Sequence, residues 1–493
     1  MRTTYIYNKV WMRMVILFTI HFSLFTISCT PMPEQVEQTD IPAPIYPDYR
    51  DVTIPTNIAP LNFLLREDCE ALQVEVEGLT LNARGHQAVF DLDDWRELME
   101  HAVGKQVSVT ITALVKGHWL QYKPFTWTVV ADKLDPYLTY RLIEPDYEIW
   151  NHVQIEQRCV ENFETSAIAH YEQLQNRCMN CHTYASQSPE LSMMYVRGQG
   201  GGAILNRKGQ LQKLNIPGSV YFGFSPSGRY IVYSTQNIIP AFHSQPSKRL
   251  EVFDAHSNVY VADLEHQRII SSPLLADSLK METFPTFSPD GRYIYYCAAD
   301  SVSLPSDIRR LQYSLVRIPF DEATGRIGTQ VDTLVYSSST LHPQPSTPKT
   351  SVCHPRISPD GHHLLYTVAD YGTFPIWHPE ADLQMMDLKT GRIDTLALVN
   401  SPKSDTYHSW SSNSRWFVFA SKRDDGLYGK PYFCYVDRNG KAHKPFCLPQ
   451  RHPDFYDNCL KSFNAPELGK GRLPFNVDDV AKAMKLPPID FRE

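Results

Sequence analysis

Short runs in which apolar and polar residues alternate dominate the chain after residue 60. Leu72–Val76, Val107–Val115 and Phe125–Val130 alternate with period two and are rich in β-branched and aromatic residues, which is typical of strands with one buried face. Asp91–Ala102 predicts one short helix among them. We therefore expect residues 61–132 to form a small antiparallel β-sandwich, an accessory domain without a site of its own.

A ten-residue pattern then recurs along the chain. Its core is Ser-Pro-Asp/Ser-Gly, in which Pro presets φ, Asp or Ser bonds back to the turn backbone and Gly takes a position of positive φ. A further hairpin follows each copy, and four strands per repeated unit predict propeller blades over residues 191–450. The copies are Phe224–Tyr233, Phe287–Tyr296, Ile357–Tyr366 and Trp410–Phe419, and the last, a worn copy, departs most from the pattern.

The spacing of the copies predicts insertions. Successive copies begin 53 to 70 residues apart, whereas a propeller blade typically takes ~40–45 residues. Extra segments should therefore project from the ring. The best placed are Asn237–Asp254, Val302–Leu311, Ser337–Thr350 and Tyr371–Glu380.

The N-terminus has the features of an export signal. Residues 1–28 contain three basic residues, no acidic residue and the apolar run Met14–Ile20, which is too short for a convincing membrane span. Ser28-Cys29 matches a bacterial cleavage and lipidation site except that Thr26 replaces the usual leucine, so simple secretion is the alternative. Acyl chains on Cys29 would anchor the protein to a membrane surface. Residues 29–60 are polar and Pro-rich and predict a tether.

Charge narrows the possible partners. The net charge is −7, and removal of the three basic residues of the leader makes it −10. Such a surface disfavours nucleic acid and acidic lipid as partners. Export in turn bears on the chemistry of the 10 cysteines, because an oxidising compartment permits thioether and disulfide bonds.

Cys178, Cys181 and His182 carry the most specific chemical motif, C-x-x-C-H. Two thiols at this spacing can add to the vinyl groups of one porphyrin, and the following histidine can bind the iron. A zinc site would need a second cysteine pair, and a thioredoxin-like dithiol would need a β-α-β context. We expect one covalent haem c, with a disulfide or redox pair as the alternative.

The flanking segments complete the predicted domain plan. Glu161–Asn176 has apolar residues at helical spacing and predicts a helix leading to the motif, so that residues 133–190 would combine the first propeller strands with a helical haem-binding insertion. With two weaker blades between about 135 and 216 the ring would have six blades. Residues 451–493 are expected to be a C-terminal strap ending in the helix-like Val477–Met484.

Several residues are candidates for a second axial ligand. His243 ranks first because it lies beside Phe242 in a non-repeating insertion, where a loop could fold over a porphyrin. An open sixth position is the main alternative. The other candidates, for which packing in the core is the more ordinary role, are Met193, Met194, His354 and His408.

The repeats resemble the PD40-type repeats of TolB-like β-propellers, over about residues 190–450. The combination of a lipoprotein leader, Cys-Met-Asn-Cys-His and these blades is similar to a group of haem-motif TolB-like lipoproteins of Gram-negative bacteria. The resemblance implies an all-β propeller in the cell envelope, lipid-anchored to the outer membrane and facing the periplasm or the surface.

Two classes of function follow from these expectations. The first is single-haem electron transfer between exported redox or envelope proteins, in which no residue is catalytic. The alternative is a TolB-like binding or assembly scaffold of the periplasm or cell surface, linked to cytochrome c assembly, whose haem is structural or sensory. A haem enzyme is a weaker third option, because it would require an open iron and a distal acid–base residue.

Overall fold

The computed structural model describes residues 33–144, 152–216, 218–242, 250–337 and 350–492. Strands dominate throughout this part of the chain, and their alternating burial follows the sequence pattern. No helix among these residues is long and apolar enough to cross a membrane.

The accessory domain combines two sheets and one helix. The larger sheet has the order β1-β9-β8-β10-β3, with β5 also on β8 and β6 on β5, and the smaller has the order β2-β4-β7. Its strands are β1 (Glu37–Pro42), β2 (Ile45–Tyr46), β3 (Val52–Pro55), β4 (Phe63–Leu65), β5 (Ala71–Val76), β6 (Leu79–Arg84), β7 (Gln87–Ala88), β8 (Gln106–Val115), β9 (His118–Lys123) and β10 (Phe125–Val130).

Helix α1 (Leu92–His101) confirms the single predicted helix of this domain. The Asp91 side chain caps it by accepting hydrogen bonds from the N–H groups of the first turn, and the helix buries Trp95 against Trp127 with ring centroids 5.5 Å apart. Two expectations need correction. Residues 37–60 are not a tether, because they supply β1, β2 and β3, and the sheet is mixed because β1 and β3 pair in parallel with β9 and β10.

Six further sheets form the blades of a propeller. From the axis outwards, blades one to three are β35-β11-β12-β13, β14-β15-β16-β17-β36 and β18-β19-β20-β21. The strand bounds are β11 (Tyr137–Ile143), β12 (Gln154–Cys159), β13 (Thr165–His170), β14 (Met179–Ala185), β15 (Ser188–Val196), β16 (Gly202–Arg207), β17 (Gln210–Asn215), β18 (Ser219–Phe224), β19 (Tyr230–Phe242), β20 (Leu250–Asp263), β21 (Arg268–Ile270), β35 (Ser462–Gly469) and β36 (Ile489–Asp490).

Blades four to six follow the same plan. They are β22-β23-β24-β25, with β26 also on β24, then β27-β28-β29-β30 and β31-β32-β33-β34. Their strands are β22 (Lys280–Phe287), β23 (Tyr293–Asp300), β24 (Ser314–Asp321), β25 (Arg326–Ile327), β26 (Asp332–Val335), β27 (Ser351–Ile357), β28 (His363–Ala369), β29 (Asp382–Asp387), β30 (Ile393–Asp394), β31 (Asp405–Trp410), β32 (Trp416–Ser421), β33 (Lys430–Tyr435) and β34 (Phe446–Cys447). Helices α2 (Phe455–Asn458) and α3 (Val477–Ala483) follow the sixth blade.

The ring closes through the C-terminal region. Strand β35 pairs antiparallel with β11 and becomes the innermost strand of blade one, with Tyr137 opposite Gly469 and Ile143 opposite Ser462. Each innermost strand contacts the innermost strands of both neighbouring blades, from β14 round to β35. The expected six-bladed propeller is confirmed, and the C-terminal region is one of its strands as well as a strap.

The segment before the C-x-x-C-H motif is not the predicted helix. Thr165–His170 is strand β13, paired with β12, and only Glu172–Leu174 forms a 3₁₀ turn. The motif itself lies at the start of β14. Strand β13 pairs with β12 over Thr165–His170, and this pairing outweighs the helical spacing of the apolar residues in the segment.

The repeated turns have the predicted chemistry. In blade four the Ser288 hydroxyl donates to Asp290 Oδ1 at 2.6 Å and accepts from the Tyr293 N–H at 2.9 Å, while Gly291 adopts φ of 71°. In the worn copy Ser414 takes this position with φ of 62°. The pattern thus fixes the turn between the first and second strands of blades three to six.

Bulges in the innermost strands position the functional site. In each of these strands the register shifts at the same level of the channel, which re-aims the side chains there. Five bulge residues have a φ of 46° to 53°. They are Tyr221, Phe284, His354, Tyr407 and Ala465.

An arm links two blades on one face of the ring. Strands β19 and β20 remain paired with each other beyond the rest of blade three and form an arm. Glu251 lies on this arm and contacts the insertion of blade five. It accepts a hydrogen bond from the Tyr371 hydroxyl at 2.9 Å and lies 3.1 Å from His378 Nε2. The side chains of His378 and Glu251 are buried, and Glu380 Oε1 lies 3.2 Å from His378 Nδ1. We call these four residues the arm anchor.

Candidate functional site

A cavity of about 110 Å³ lies on the propeller axis at the level of the bulges. Five of the six blades supply an innermost-strand side chain to its wall, and the connections between second and third strands add Arg197 and Phe374. The predicted haem ligand His182 is one of the lining residues, and His354 and His408 are two others. The structure therefore brings together three histidines that lie far apart in the sequence.

His182 belongs to the bulge of β14. Its ring Nε2 lies 3.3 Å from the carbonyl oxygen of Thr139, a long hydrogen bond by ordinary criteria. Burial, assisted by the positive charge of Arg141, lowers the pKa of His182 to about 4. The imidazole is therefore neutral at physiological pH, which is the form that binds metals.

His354 lies on the opposite wall and is 3% exposed. Neither of its ring nitrogens has a hydrogen-bond partner. It packs instead against aromatic rings, with centroids 4.1 Å from Phe284, 4.5 Å from Tyr407 and 5.6 Å from Tyr221. Burial lowers its pKa well below the usual value, so this ring is also neutral.

His408 is the third imidazole of the cavity and differs in having a partner. Its Nε2 lies 3.0 Å from the carbonyl oxygen of Leu365, while its Nδ1 has none. Burial, with a contribution from Arg356, lowers its pKa to about 3. No group of three His, Cys, Asp or Glu side chains within the described ranges could hold a bare metal ion, so the three rings do not form a tri-histidine metal centre.

Arginines give the cavity a positive character. Arg141, Arg197 and Arg356 line it, and the acidic residue of its wall is Glu467. Burial raises the pKa of Glu467 to about 7, and its Oε1 accepts hydrogen bonds from the Tyr184 N–H and the Thr183 hydroxyl. Guanidinium groups bind carboxylates and phosphates well, so the lining suits a ligand with acidic groups.

The cysteines of the motif lie beside this site. Cys178 directly precedes β14 and is half-buried; burial raises its pKa, and the charges of Arg141 and Arg197 oppose the rise. Two cavity-lining arginines therefore favour ionisation of its thiol. The backbone of Cys181 is part of β14.

The remaining predicted residues fall into two groups. Met193 and Met194 on β15 are buried in two different hydrophobic clusters and do not line the cavity, so the ordinary core role holds for both. His243, ranked first as a second ligand, and Cys29, the predicted lipidation site, lie outside the described residues.

The sequence pattern did not reveal the three arginines of the cavity. It also did not predict that side chains from several blades meet on the propeller axis. A comparison of the repeats could have found four of the bulge residues, because each stands four residues before the serine of the repeated turn. They are Tyr221, Phe284, His354 and Tyr407. Arg141 and Arg197 carry no such pattern. They belong to blades one and two, in which the repeated turn pattern cannot be recognised in the sequence.

The donor types of the cavity wall suit a haem attached at the motif, but the size of the cavity does not. The cavity wall offers a neutral imidazole in His182, two more across the channel, and guanidinium groups for the porphyrin carboxylates. The free volume is smaller than the ~300–1,000 Å³ usual for ligand sites, so a macrocycle would displace side chains that now fill the channel. His182 would also give up its long contact with Thr139.

Comparisons with known proteins support no further assignment. No family model matches the sequence, and no curated protein does. TolB from Acinetobacter baumannii has a similar structure, with 12% identity, 73% of this chain and 79% of that chain covered, and a TM-score of 0.43. An oligogalacturonate lyase in complex with manganese is 11% identical, with 62% of this chain and 72% of that chain covered and a TM-score of 0.35. A DUF4784 family protein from Bacteroides caccae is 7% identical, with 73% of this chain and 97% of that chain covered and a TM-score of 0.31.

Proposed function

We propose that this chain is a β-propeller scaffold of the bacterial cell envelope that carries one covalent haem at its C-x-x-C-H motif and acts as a binding or assembly protein. The observation that carries the proposal is the position of His182. The histidine of the C-x-x-C-H motif faces a cavity lined by two other neutral imidazoles and by arginines. A surface disulfide would need none of these groups.

The residues of the chain have distinct roles in this proposal. The sulfurs of Cys178 and Cys181 would hold the haem through thioether links, and the imidazole of His182 would bind its iron. Arg141, Arg197 and Arg356 neutralise acidic groups, and the aromatic rings around His354 exclude water. When bound, the haem supplies an iron centre for one-electron chemistry or ligand binding.

The rest of the molecule suits a scaffold. The accessory domain is joined firmly to blade six, since Trp416 Nε1 donates to the Asp132 carbonyl oxygen at 2.6 Å and one hydrophobic cluster spans both parts. Insertions and the arm give the ring an irregular face for envelope partners. Lipidation at Cys29 would place this body on the outer membrane, on the periplasmic or the outer side.

Single-haem electron transfer is the second candidate. The observation that favours it is the second neutral imidazole, that of His354, on the opposite wall of the channel. If a second protein imidazole also held the iron, the haem would relay electrons and leave no free position for a substrate.

The first test is covalent attachment. The full chain, made in cells with haem-attachment machinery, should keep a haem-stained band after denaturation, because thioether bonds survive unfolding. Replacement of Cys178 and Cys181 by Ala should remove the stain, while Cys459→Ala, which changes a half-buried cysteine outside the motif, should not. A colourless wild-type band would end the proposal.

A second measurement separates scaffold from carrier. If the protein is a carrier, its haem should exchange electrons rapidly with small exported redox proteins in stopped-flow mixing. A scaffold should show slow exchange, and its binding to an envelope partner should persist in the variant without Cys178 and Cys181. Rapid exchange together with loss of function in that variant would favour the carrier.

A further inference from the structure

The size of the axial cavity limits what it can hold as it stands. Its volume is about 110 Å³, whereas most ligand pockets measure ~300–1,000 Å³. A water molecule takes up ~30 Å³ in the liquid, so the space corresponds to a few waters. A small organic ion can therefore enter without displacing the rings that line the cavity.

Three guanidinium groups reach this cavity from three blades. Arg141 is on β11 of blade one, Arg197 directly follows β15 of blade two, and Arg356 is on β27 of blade five. The charge of Arg356 is felt by its neighbours in the wall, because burial lowers the pKa of both His354 and His408 and this charge lowers both further. The wall is thus positively charged from several sides.

The order of the blades places two of these arginines across the axis from each other. The innermost strands contact one another in the cyclic order β35, β14, β18, β22, β27 and β31. In a ring of six, the second and fifth members are diametrically opposed. Arg197 of blade two and Arg356 of blade five therefore approach the cavity from opposite sides, and one ligand with an acidic group at each end can meet both.

The negative charge of the wall does not balance these three cations. Its acidic residue is Glu467, and Oε1 of this side chain already accepts hydrogen bonds from the Tyr184 N–H and the Thr183 hydroxyl. Buried charge is costly unless a group of opposite charge compensates it. An anion in the cavity would supply that compensation.

His354 offers a donor beside Arg356. The side chain is 3% exposed and lines the cavity, and neither of its nitrogens has a hydrogen-bond partner among the described residues. A neutral imidazole carries one N–H, and buried polar groups are nearly always hydrogen-bonded. An unused donor two residues from a guanidinium, in the same bulge of β27, suits a carboxylate oxygen.

We propose that the axial cavity binds a small dicarboxylate, with one acidic group beside Arg356 and His354 and the other beside Arg197. Arg141 adds positive charge from blade one, and the aromatic rings of the wall pack against the short carbon chain of the ligand. This site goes beyond the proposed haem and does not depend on it, because none of these four residues belongs to the C-x-x-C-H motif.

The test is calorimetric titration of the full chain with succinate as the probe. We expect binding with a submillimolar Kd. Butyrate has a similar carbon chain but one carboxylate, so it should bind about tenfold more weakly or worse, because it can use only one side of the cavity. Succinamide, which is neutral, should not bind, and inorganic phosphate should bind more weakly than succinate.

Single substitutions locate the site. Arg356→Gln and Arg197→Gln should each weaken succinate binding about tenfold or more, because each removes a charge-assisted pair with a carboxylate. His354→Leu should weaken it about threefold or more through the loss of one hydrogen bond. Arg392→Gln is the matched control, since this exposed arginine lies between β29 and β30 of blade five; it should bind succinate as the wild type does.

Each outcome has a defined meaning. Absence of succinate binding, both in the full chain and in its variant without Cys178 and Cys181, overturns the proposal, as does phosphate binding equal to that of succinate. An equal loss in Arg392→Gln would mean diffuse attraction to surface charge and would also overturn it. If Arg356→Gln fails to fold, Arg197→Gln decides, and unchanged affinity there ends the proposal. A colourless haem stain ends the haem proposal alone.

Discussion

The accessory domain and the propeller channel differ in how completely their buried polar side chains are hydrogen-bonded. In the accessory domain the indole N–H groups of Trp95 and Trp127 donate to backbone carbonyls at 2.9 and 2.8 Å. Only the Tyr49 hydroxyl lacks a partner among the buried polar side-chain atoms described there. In the channel, His354 and His408 leave three ring nitrogens without partners. The first region is built for stability, whereas the second retains unsatisfied groups that a ligand can use.

The largest effect should come from the core of the accessory domain. Trp127→Ala should lower the free energy of unfolding by about 3–5 kcal/mol, because it removes a fully buried ring and leaves a cavity. Trp377→Ala is the matched change in the propeller, where the ring is half-buried and lies 4.1 Å from Lys422 Nζ; it should cost only about 1 kcal/mol. Urea denaturation measures both, and equal losses would contradict the division of roles.

A matched pair of Leu substitutions tests the treatment of polar groups directly. Asn62 is buried, accepts from the Phe90 N–H and donates to the Gln450 and Arg451 carbonyls, so Asn62→Leu should cost about 1–3 kcal/mol by leaving backbone groups unpaired. His354→Leu, made in the chain without Cys178 and Cys181, should be neutral or stabilising by up to about 1 kcal/mol.

Denaturation of these two variants beside their parents gives the answer. A destabilisation of similar size in both would mean that the His354 nitrogens have partners in solution. The channel would then be as fully satisfied as the accessory domain.

The smallest effect should be a pH dependence that originates at the arm anchor. Burial alone would lower the pKa of His378, but its contacts with Glu251 and Glu380 outweigh burial and raise the pKa above 6.5. The stabilisation from this pairing is therefore complete below about pH 6.5 and is lost as the pH rises through the raised pKa. Melting temperatures between pH 6 and 9 should show the decline, and Glu251→Gln should flatten it; an unchanged slope would exclude the anchor.

Local chemistry allowed much of the fold to be predicted. The repeated turns identify four blades because, in three of the copies, Pro, Asp or Ser, and Gly each act within a few residues of the turn. The same locality explains the error over Glu161–Asn176, since the pairing of β13 with β12 outweighs helical spacing. The closing pair of β11 and β35 joins segments more than 300 residues apart, and no local pattern encodes it.

The candidate site was predictable only in part for a related reason. Cys178, Cys181 and His182 form a contiguous motif and can be recognised alone. His354 and Arg141 line the axial cavity only because the ring brings blades one, two and five around one axis. The sequence places them in separate elements, and only the closed ring makes them neighbours.

The closure of the ring by β35 also constrains the order in which the protein can mature. Until Ser462–Gly469 docks on β11, blade one has no innermost strand and the channel is open beside β14. Ala465, Pro466 and Glu467 of β35 form part of the cavity wall. The wall of the channel beside the motif is therefore complete only when this late segment of the chain has docked on β11. Among the described elements, only α3 and β36 follow β35 in the chain, so closure of the ring requires nearly the whole sequence.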